Sequence, residues 1–303
     1  MTILAVTLNT ALDLTYQVPQ LTPGEMHRVA APQVRAGGKG VNVARVLHAL
    51  GEAVCVTGFA GGATGDALRA ALRADGIAED LVPIADATRH TVTVVDTELG
   101  EATLLNEAGP HVQEAEWEAF VDRYRALAAR SRLVVLAGSL PQGLPDDAYA
   151  VLIRAARDPM VILDAEGPAL LEGAKAGPDL VKPNAAELAT TTGYPGVVRG
   201  ARVLRDLGAR AVVVSQGAQG MTAFTSDGSW QARPPGRLTG NPTGAGDAAV
   251  AALARGMTRG TPWPECLADA VALSAAAVCA PLAGDVDLAV HGRLRPGIVA
   301  QTL

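Results

Sequence analysis

The chain has 303 residues, of which 49% are apolar but only 3% aromatic, so Ala, Val and Leu must build its core, which suits parallel strands covered by close-packed helices. The length exceeds the usual single-domain size, yet α/β chains of this length often stay one compact domain with a small appendage. A formal net charge of −6 gives no general attraction to polyanions, which argues against a nucleic-acid partner and leaves small anionic ligands to local cations.

At the N-terminus "MTILAVTLNTALDLTY" carries no basic leader and meets Asp13 too soon for a membrane span, and no later stretch reaches about 18 uninterrupted apolar residues. The expectation is a soluble, cytoplasmic protein with no membrane partner. "ILAVTL" (3–8) reads as a first buried strand, and residues 14–34 show strand-like alternation without a helical period. A glycine cluster over 35–51 opens a helix, "AVCVTGF" (53–59) is the next strand, and "TGDALRAALRADG" spaces Leu68, Ala71, Leu72 and Asp75 along one helix face before stopping at Gly76. Residues 88–106 again alternate like a hairpin, and with 14–34 predict a small β-lid outside the main sheet. "EAEWEAFVDRYRALA" aligns Trp117, Phe120, Val121, Tyr124 and Leu127 on a helix face. "RLVVLAG" (132–138), "MVILDA" (160–165), "DLVKP" (179–183) and "AVVVSQG" (211–217) complete the predicted strands. Strand and helix in alternation predict a parallel sheet with right-handed crossovers, in one domain over 1–303 with the two lid segments inserted. Cys55, Cys266 and Cys279 lie far apart in apolar surroundings and read as buried reduced thiols, and the five histidines have no metal-like spacing.

The chemistry lies in the glycines. "NPTGAGDAAVAALARG" (241–256) begins an alanine-rich helix with Gly244, Ala245, Gly246 and Asp247. A helix N-terminus offers unpaired N–H groups and the positive end of its dipole, and glycine lets an oxyanion come close to the backbone. An acid beside an anion site makes sense where a hydroxyl attacks a phosphate and gives up its proton. Asp247 is then a general base, for which an ordinary low-pKa carboxylate suffices; the bland reading is an Asp that caps or complements the helix. No GxxxxGK[ST] occurs, and no GxGxxG follows the first strand, so neither a Walker loop nor a dinucleotide fingerprint is present. The second cluster, "RAGGKGVNVARVLHALG", sets Gly38, Lys39 and Asn42 at another helix start, where the Asn42 amide suits a polyol and Lys39 an anion.

At these two clusters the chain resembles the phosphofructokinase B, or ribokinase-like, carbohydrate kinase family. "TLNTALDLTY", "AGGATGDAL", "LAGSLPQGLP", "VKPNAAEL" and "VVVSQGAQGM" also look like family segments in the right order. The resemblance implies a three-layer α/β sandwich with a mainly parallel sheet and a β-lid. "LNTALDLT" and "GSLPQGLP" are most similar to the branch acting on phosphorylated ketohexoses: 1-phosphofructokinases, tagatose-6-phosphate kinases and the minor 6-phosphofructokinase.

By that resemblance Asp13, Gly38 and Asn42 bind acceptor hydroxyls, while Arg28, Lys39, Arg89 and Ser139 surround the sugar's existing phosphate. Asn184 and Glu187 form an NxxE element that orders Mg²⁺ and its waters, Lys182 reaches the phosphates, and Ser215, Gly217 and Gly220 contact ATP. The amides of Gly244, Ala245 and Gly246 stabilise the moving phosphoryl group and Asp247 takes the proton. The expected reaction is phosphoryl transfer from MgATP to a primary hydroxyl of fructose 1-phosphate or tagatose 6-phosphate. A 6-phosphofructokinase, a free-sugar or nucleoside kinase and a nonenzymatic sugar-phosphate sensor are the alternatives, the last disfavoured because binding alone needs no base. Exposed lid edges suggest a homodimer through the lids.

Overall fold

The structure, a computed structural model, describes residues 2–236, 238, 240–280 and 282–303. From the N-terminus, β1 (Thr2–Thr7) is followed by β2 (Ala11–Val18), β3 (Gln33–Gly37), helix α1 (Lys39–Ala49), β4 (Val54–Ala60), α2 (Gly62–Ala74) and the short β5 (Ala78–Glu79) and β6 (Val82–Pro83). The hairpin of β7 (Arg89–Asp96) and β8 (Glu101–Asn106) leads to α3 (Glu114–Ala128), β9 (Ser131–Ala137), α4 (Ala148–Ala155), β10 (Met160–Asp164), α5 (Gly167–Lys175), β11 (Leu180–Val181), α6 (Ala185–Thr192) and α7 (Val197–Leu207). The rest comprises β12 (Val212–Ser215), β13 (Met221–Phe224), β14 (Ser229–Ala232), α8 (Ala245–Thr258), α9 (Trp263–Val278), α10 (Leu288–Leu294) and β15 (Gln301–Thr302).

The large sheet runs β15-β14-β13-β12-β11-β10-β9-β1-β4-β5, with β6 also on β4. From β4 to β12 every pairing is parallel. The side-chain period of two sends alternate residues to opposite faces. Ile3 and Ala5 of β1 with Leu133 and Val135 of β9 join one core, under the buried faces of α1, α8 and α9. Leu4 and Val6 with Val134 and Leu136 join the other, which includes Phe120 and Tyr124 of α3 and Leu152 of α4. Helices on both faces of one sheet make the three-layer sandwich expected from the alternating pattern.

An antiparallel edge, β13-β14-β15, extends the parallel strands. Its signal in the sequence is Asp227-Gly228, a hairpin turn between two short runs, which the expected strands do not include. The second sheet is β3-β2-β7-β8. Its two antiparallel pairs are joined by parallel pairing of β2 with β7, from Ala11 against Arg89 to Val18 against Asp96. The predicted lid segments thus gain strand at both ends of 14–34, while residues 19–32 form no strand. β8 is exposed along its whole length. One expectation about the thiols needs correction: Cys266 is buried, but Cys55 is only partly covered and Cys279, at the end of α9, is exposed. No helix among the described residues is long and apolar enough to cross a membrane.

Candidate active site

Ligands in open α/β sheets bind beyond the carboxyl ends of the strands. Ser139 follows β9, Asp164 ends β10, Lys182 and Asn184 follow β11, and Ser215 ends β12. The N-terminus of α8 joins this end through Lys182, whose Nζ lies 3.6 Å from where a Cβ on Gly246 would be.

α8 starts with Gly244 as its N-cap residue, at φ +84°, and no side chain caps it. A Cβ on Gly244 would lie 2.8 Å from the Gly284 amide, so the chain geometry requires glycine there. Gly246 is different. A Cβ there meets nothing nearer than Lys182 Nζ at 3.6 Å, so the fold would accept alanine and the missing side chain keeps open an approach from outside. Gly246→Ala is therefore expected to leave Tm unchanged or higher, since alanine is the better helix former by up to ~1 kcal/mol, while kcat/KM falls about 10²-fold as the methyl displaces the reacting group. A thermal melt beside steady-state kinetics checks this, and a joint loss of Tm and activity would assign the glycine to folding instead. The expected three-amide cradle is smaller than the sequence suggested. The Ala245 N–H donates to Pro242 O at 3.2 Å, closing the turn into the helix, which leaves the Gly244 and Gly246 amides without a partner among the described residues.

Asp247 is only 6% exposed. Its Oδ2 accepts a 2.8 Å hydrogen bond from Asn42 Nδ2, so the residue faces a neighbouring helix and performs no capping. Burial, reinforced by the nearby Asp164 carboxylate, pushes it up to about 7, against the Asn42 hydrogen bond and the charges of Lys39 and Lys182. The sequence predicts an ordinary low-pKa carboxylate; burial instead leaves one that titrates near neutrality.

Asp164 is a site residue that the sequence pattern did not single out. Its side chain is 1% exposed, with Lys39 Nζ 3.3 Å from Oδ1 and Lys182 Nζ 3.3 Å from Oδ2. Lys39 also lies 3.8 Å from Glu187 Oε1 and is held well above the usual lysine range, chiefly by Asp164. An acid at the carboxyl end of a buried strand, "MVILDA", was the available signal. Lys39, expected near the sugar's own phosphate, thus sits with the groups around the α8 N-terminus.

Asn184 is the N-cap of α6, and with Glu187 it forms a capping box: Asn184 Oδ1 accepts from Glu187 N and Glu187 Oε2 from Asn184 N, both at 2.8 Å. The box fixes both side chains and leaves lone pairs on oxygen, the donor type that Mg²⁺ takes. Next to it opens a cavity of about 640 Å³, whose lining includes Asn184, Ser215, Gly217, Gly220, Gly246 and Val271. This is ligand-sized and largely apolar.

On the lid side, Asp13 of β2 pairs in register with Arg35 and Thr91. Burial raises Asp13 to about 6, against the Thr91 hydrogen bond and the charges of Arg89, Arg45 and Arg35. Its carboxylate lies against Gly37, where a Cβ would come within 2.2 Å of it. Arg89 donates to Asn9 O at 3.4 Å, and Asn9 Nδ2 donates to Ser139 Oγ at 3.1 Å. Asn9 was another residue missed, a buried polar side chain in "TLNT". Gly38 is the N-cap of α1. Arg28 is not drawn in: it is exposed between β2 and β3 and pairs with no other described residue.

The pattern of pfkB family carbohydrate kinases matches residues 2–288. The 1-phosphofructokinase of Escherichia coli K12 is 35% identical over 289 residues, covering 93% of this chain and 92% of its own. That of Rhodobacter capsulatus is 38% identical over 284 residues, 91% and 90% of the two chains. Among solved structures, phosphofructokinase-2 from Escherichia coli in complex with potassium superposes with a TM-score of 0.92 at 29% identity, covering 98% of both chains. Its tetrameric inhibited form does so at 0.91 and 28%, again over 98% of both.

Proposed function

The chain belongs to the pfkB family of carbohydrate kinases, and on that premise we propose that it transfers the γ-phosphoryl group of ATP to the primary hydroxyl of fructose 1-phosphate, giving the 1,6-bisphosphate. One observation carries the reading: a buried carboxylate, Asp247, anchored by Asn42 in the first turn of a helix whose Gly244 and Gly246 N–H groups find no acceptor among the described residues, with Lys39 and Lys182 near it. The attacking hydroxyl forms its bond to the γ-phosphorus as the bond to the ADP oxygen breaks, and its proton passes to Asp247. The Gly244 and Gly246 amides, with Lys182 and Lys39, take the charge on the transferred oxygens.

Asp13, Asn42 and the Gly38 backbone hold the acceptor's hydroxyls, and Arg89 and Ser139 serve its existing phosphate. ATP occupies the cavity between Ser215, Gly217, Gly220 and Gly246. Asn184 and Glu187 would hold Mg²⁺ through its water shell, and the ion would offset charge on the nucleotide's phosphates. We read the whole chain as one cytoplasmic kinase domain, 1–303, with the lid inserted. Leu104 and Leu105 on the exposed edge strand β8, with Val34 on β3, support pairing of two lids in a homodimer.

Steady-state assays with MgATP against fructose 1-phosphate, fructose 6-phosphate, tagatose 6-phosphate, fructose and ribose test the acceptor. The highest kcat/KM is expected for fructose 1-phosphate; a preference for an unphosphorylated sugar would overturn the reading.

A further inference from the structure

Behind Asn42 stands a buried arginine for which phosphoryl transfer has no direct use. Arg45 lies three residues after Asn42 on α1, so the two share a helix face. It is 7% exposed. Its Nη1 donates to Asn42 Oδ1 at 3.4 Å, its Nη2 to Ala36 O at 2.8 Å, and its Nε and Nη2 to Asp75 Oδ2 at 3.3 and 3.1 Å. The Asn42 amide is therefore read from both ends. A guanidinium only donates and a carboxylate only accepts, so the amide has a single orientation, with oxygen towards Arg45 and nitrogen towards Asp247. The chain beyond α9 closes over this contact: a Cβ on Gly284, at φ +78°, would lie 2.9 Å from both Arg45 Nη1 and Asn42 Oδ1. The next residue, Asp285, takes a two-pronged ion pair from Arg35 of β3 at 2.7 and 2.9 Å.

We infer that Arg45 is a positioning residue for the catalytic base: it locks the Asn42 amide so that Asp247 Oδ2 stays occupied and Oδ1 alone receives the proton of the attacking hydroxyl. This rests on the reading of Asp247 as the base. Without the arginine the amide oxygen loses its anchor and only the bond to Asp247 holds the side chain, so that bond weakens. The other charged groups facing Asp247, which are Lys39 of α1, Asp164 at the end of β10 and Lys182 beyond β11, do not depend on Arg45.

A double-mutant cycle tests the inference, using Arg45→Met, Asn42→Ala and the double variant, with MgATP and the best sugar of the panel above, between pH 5.5 and 9. Arg45→Met is expected to lower kcat about tenfold, the scale of one lost hydrogen bond to an ionised network. KM for ATP should stay unchanged, and the acid limb of the kcat profile should move to higher pH. In the Asn42→Ala background the same change should cost almost nothing, because its route to Asp247 is already cut. Multiplicative losses, or an unmoved acid limb, would reduce Arg45 to a packing residue. If Arg45→Met does not fold, Arg45→Lys enters the same cycle, keeping charge against Asp75 but lacking the planar fork. Near-normal turnover by Asp247→Asn would sink the base itself, whereas an inactive Asp247→Asn with an additive cycle would sink only the role of Arg45.

Discussion

Replacing Asp247 by Asn is expected to cut kcat/KM for the accepted sugar phosphate about 10³-fold, and at pH 8 to make the protein harder to unfold by heat. Both effects come from one burial. The folded carboxylate titrates near 7, while an unfolded Asp titrates near ~3.9, so the native state binds the proton more tightly. A raised carboxylate leaves stability intact below the unfolded value; stability is lost as pH climbs from about 4 through 7, and the loss is complete above that. Asparagine carries no charge at any of these pH values and still offers Asn42 an acceptor. Lys39 and Lys182 retain Asp164, so no buried charge loses its only partner. The gain at pH 8 should be on the order of 2–4 kcal/mol, fading as pH falls towards 4. Wild-type kcat/KM should decline below about pH 7 as the base protonates. Thermal melts of both proteins at pH 8, 6 and 5 check the stability arm. An Asn variant less stable at pH 8, or one with the same advantage at every pH, would mean that the charge is not what the site strains against.

What the sequence made legible was local. Strands announce themselves as short apolar runs, and GAGD and GGKG as glycines where helix propensity would choose otherwise, so β1, β4, β9, β10 and β12 and the openings of α1 and α8 fall where the pattern put them. Contacts between distant segments were not legible. Asp164 looked like the end of a strand because its partner Lys39 is 125 residues away, and Arg45 carried no signal in the sequence because Asp75 and Ala36 meet it only after folding. The reason for a glycine also needs coordinates: Gly244 and Gly246 are alike in sequence, yet one is required by its backbone angle and by Gly284, the other by nothing inside the fold. Arg28 shows the converse, a charge given a role by resemblance that lies in an exposed stretch without regular structure.

Asp164→Asn should have the opposite signature to Asp247→Asn. Lys182 is 4% exposed and Asp164 is its ion-pair partner, while Lys39 on the other carboxylate oxygen is 37% exposed and can turn to water or Glu187. Removing one member of a buried pair leaves the other charge uncompensated, which destabilises by about 3–5 kcal/mol. Lys182→Met in the Asp164→Asn background should restore most of that loss, since the stranded charge leaves with the lysine, and it should not restore turnover, because the role proposed for the lysine beside the phosphates is lost with it. Asp164 also helps hold Asp247 up near 7, so in the single variant the acid limb of kcat/KM should move to lower pH even as kcat falls. Urea unfolding of the single and double variants tests the pairing, and the pH profile tests the coupling between the two acids. A double variant as unstable as the single would refute the stranded-charge account. An acid limb that stays in place would mean that Asp164 and Asp247 do not sense each other and that the two acids act in separate sites.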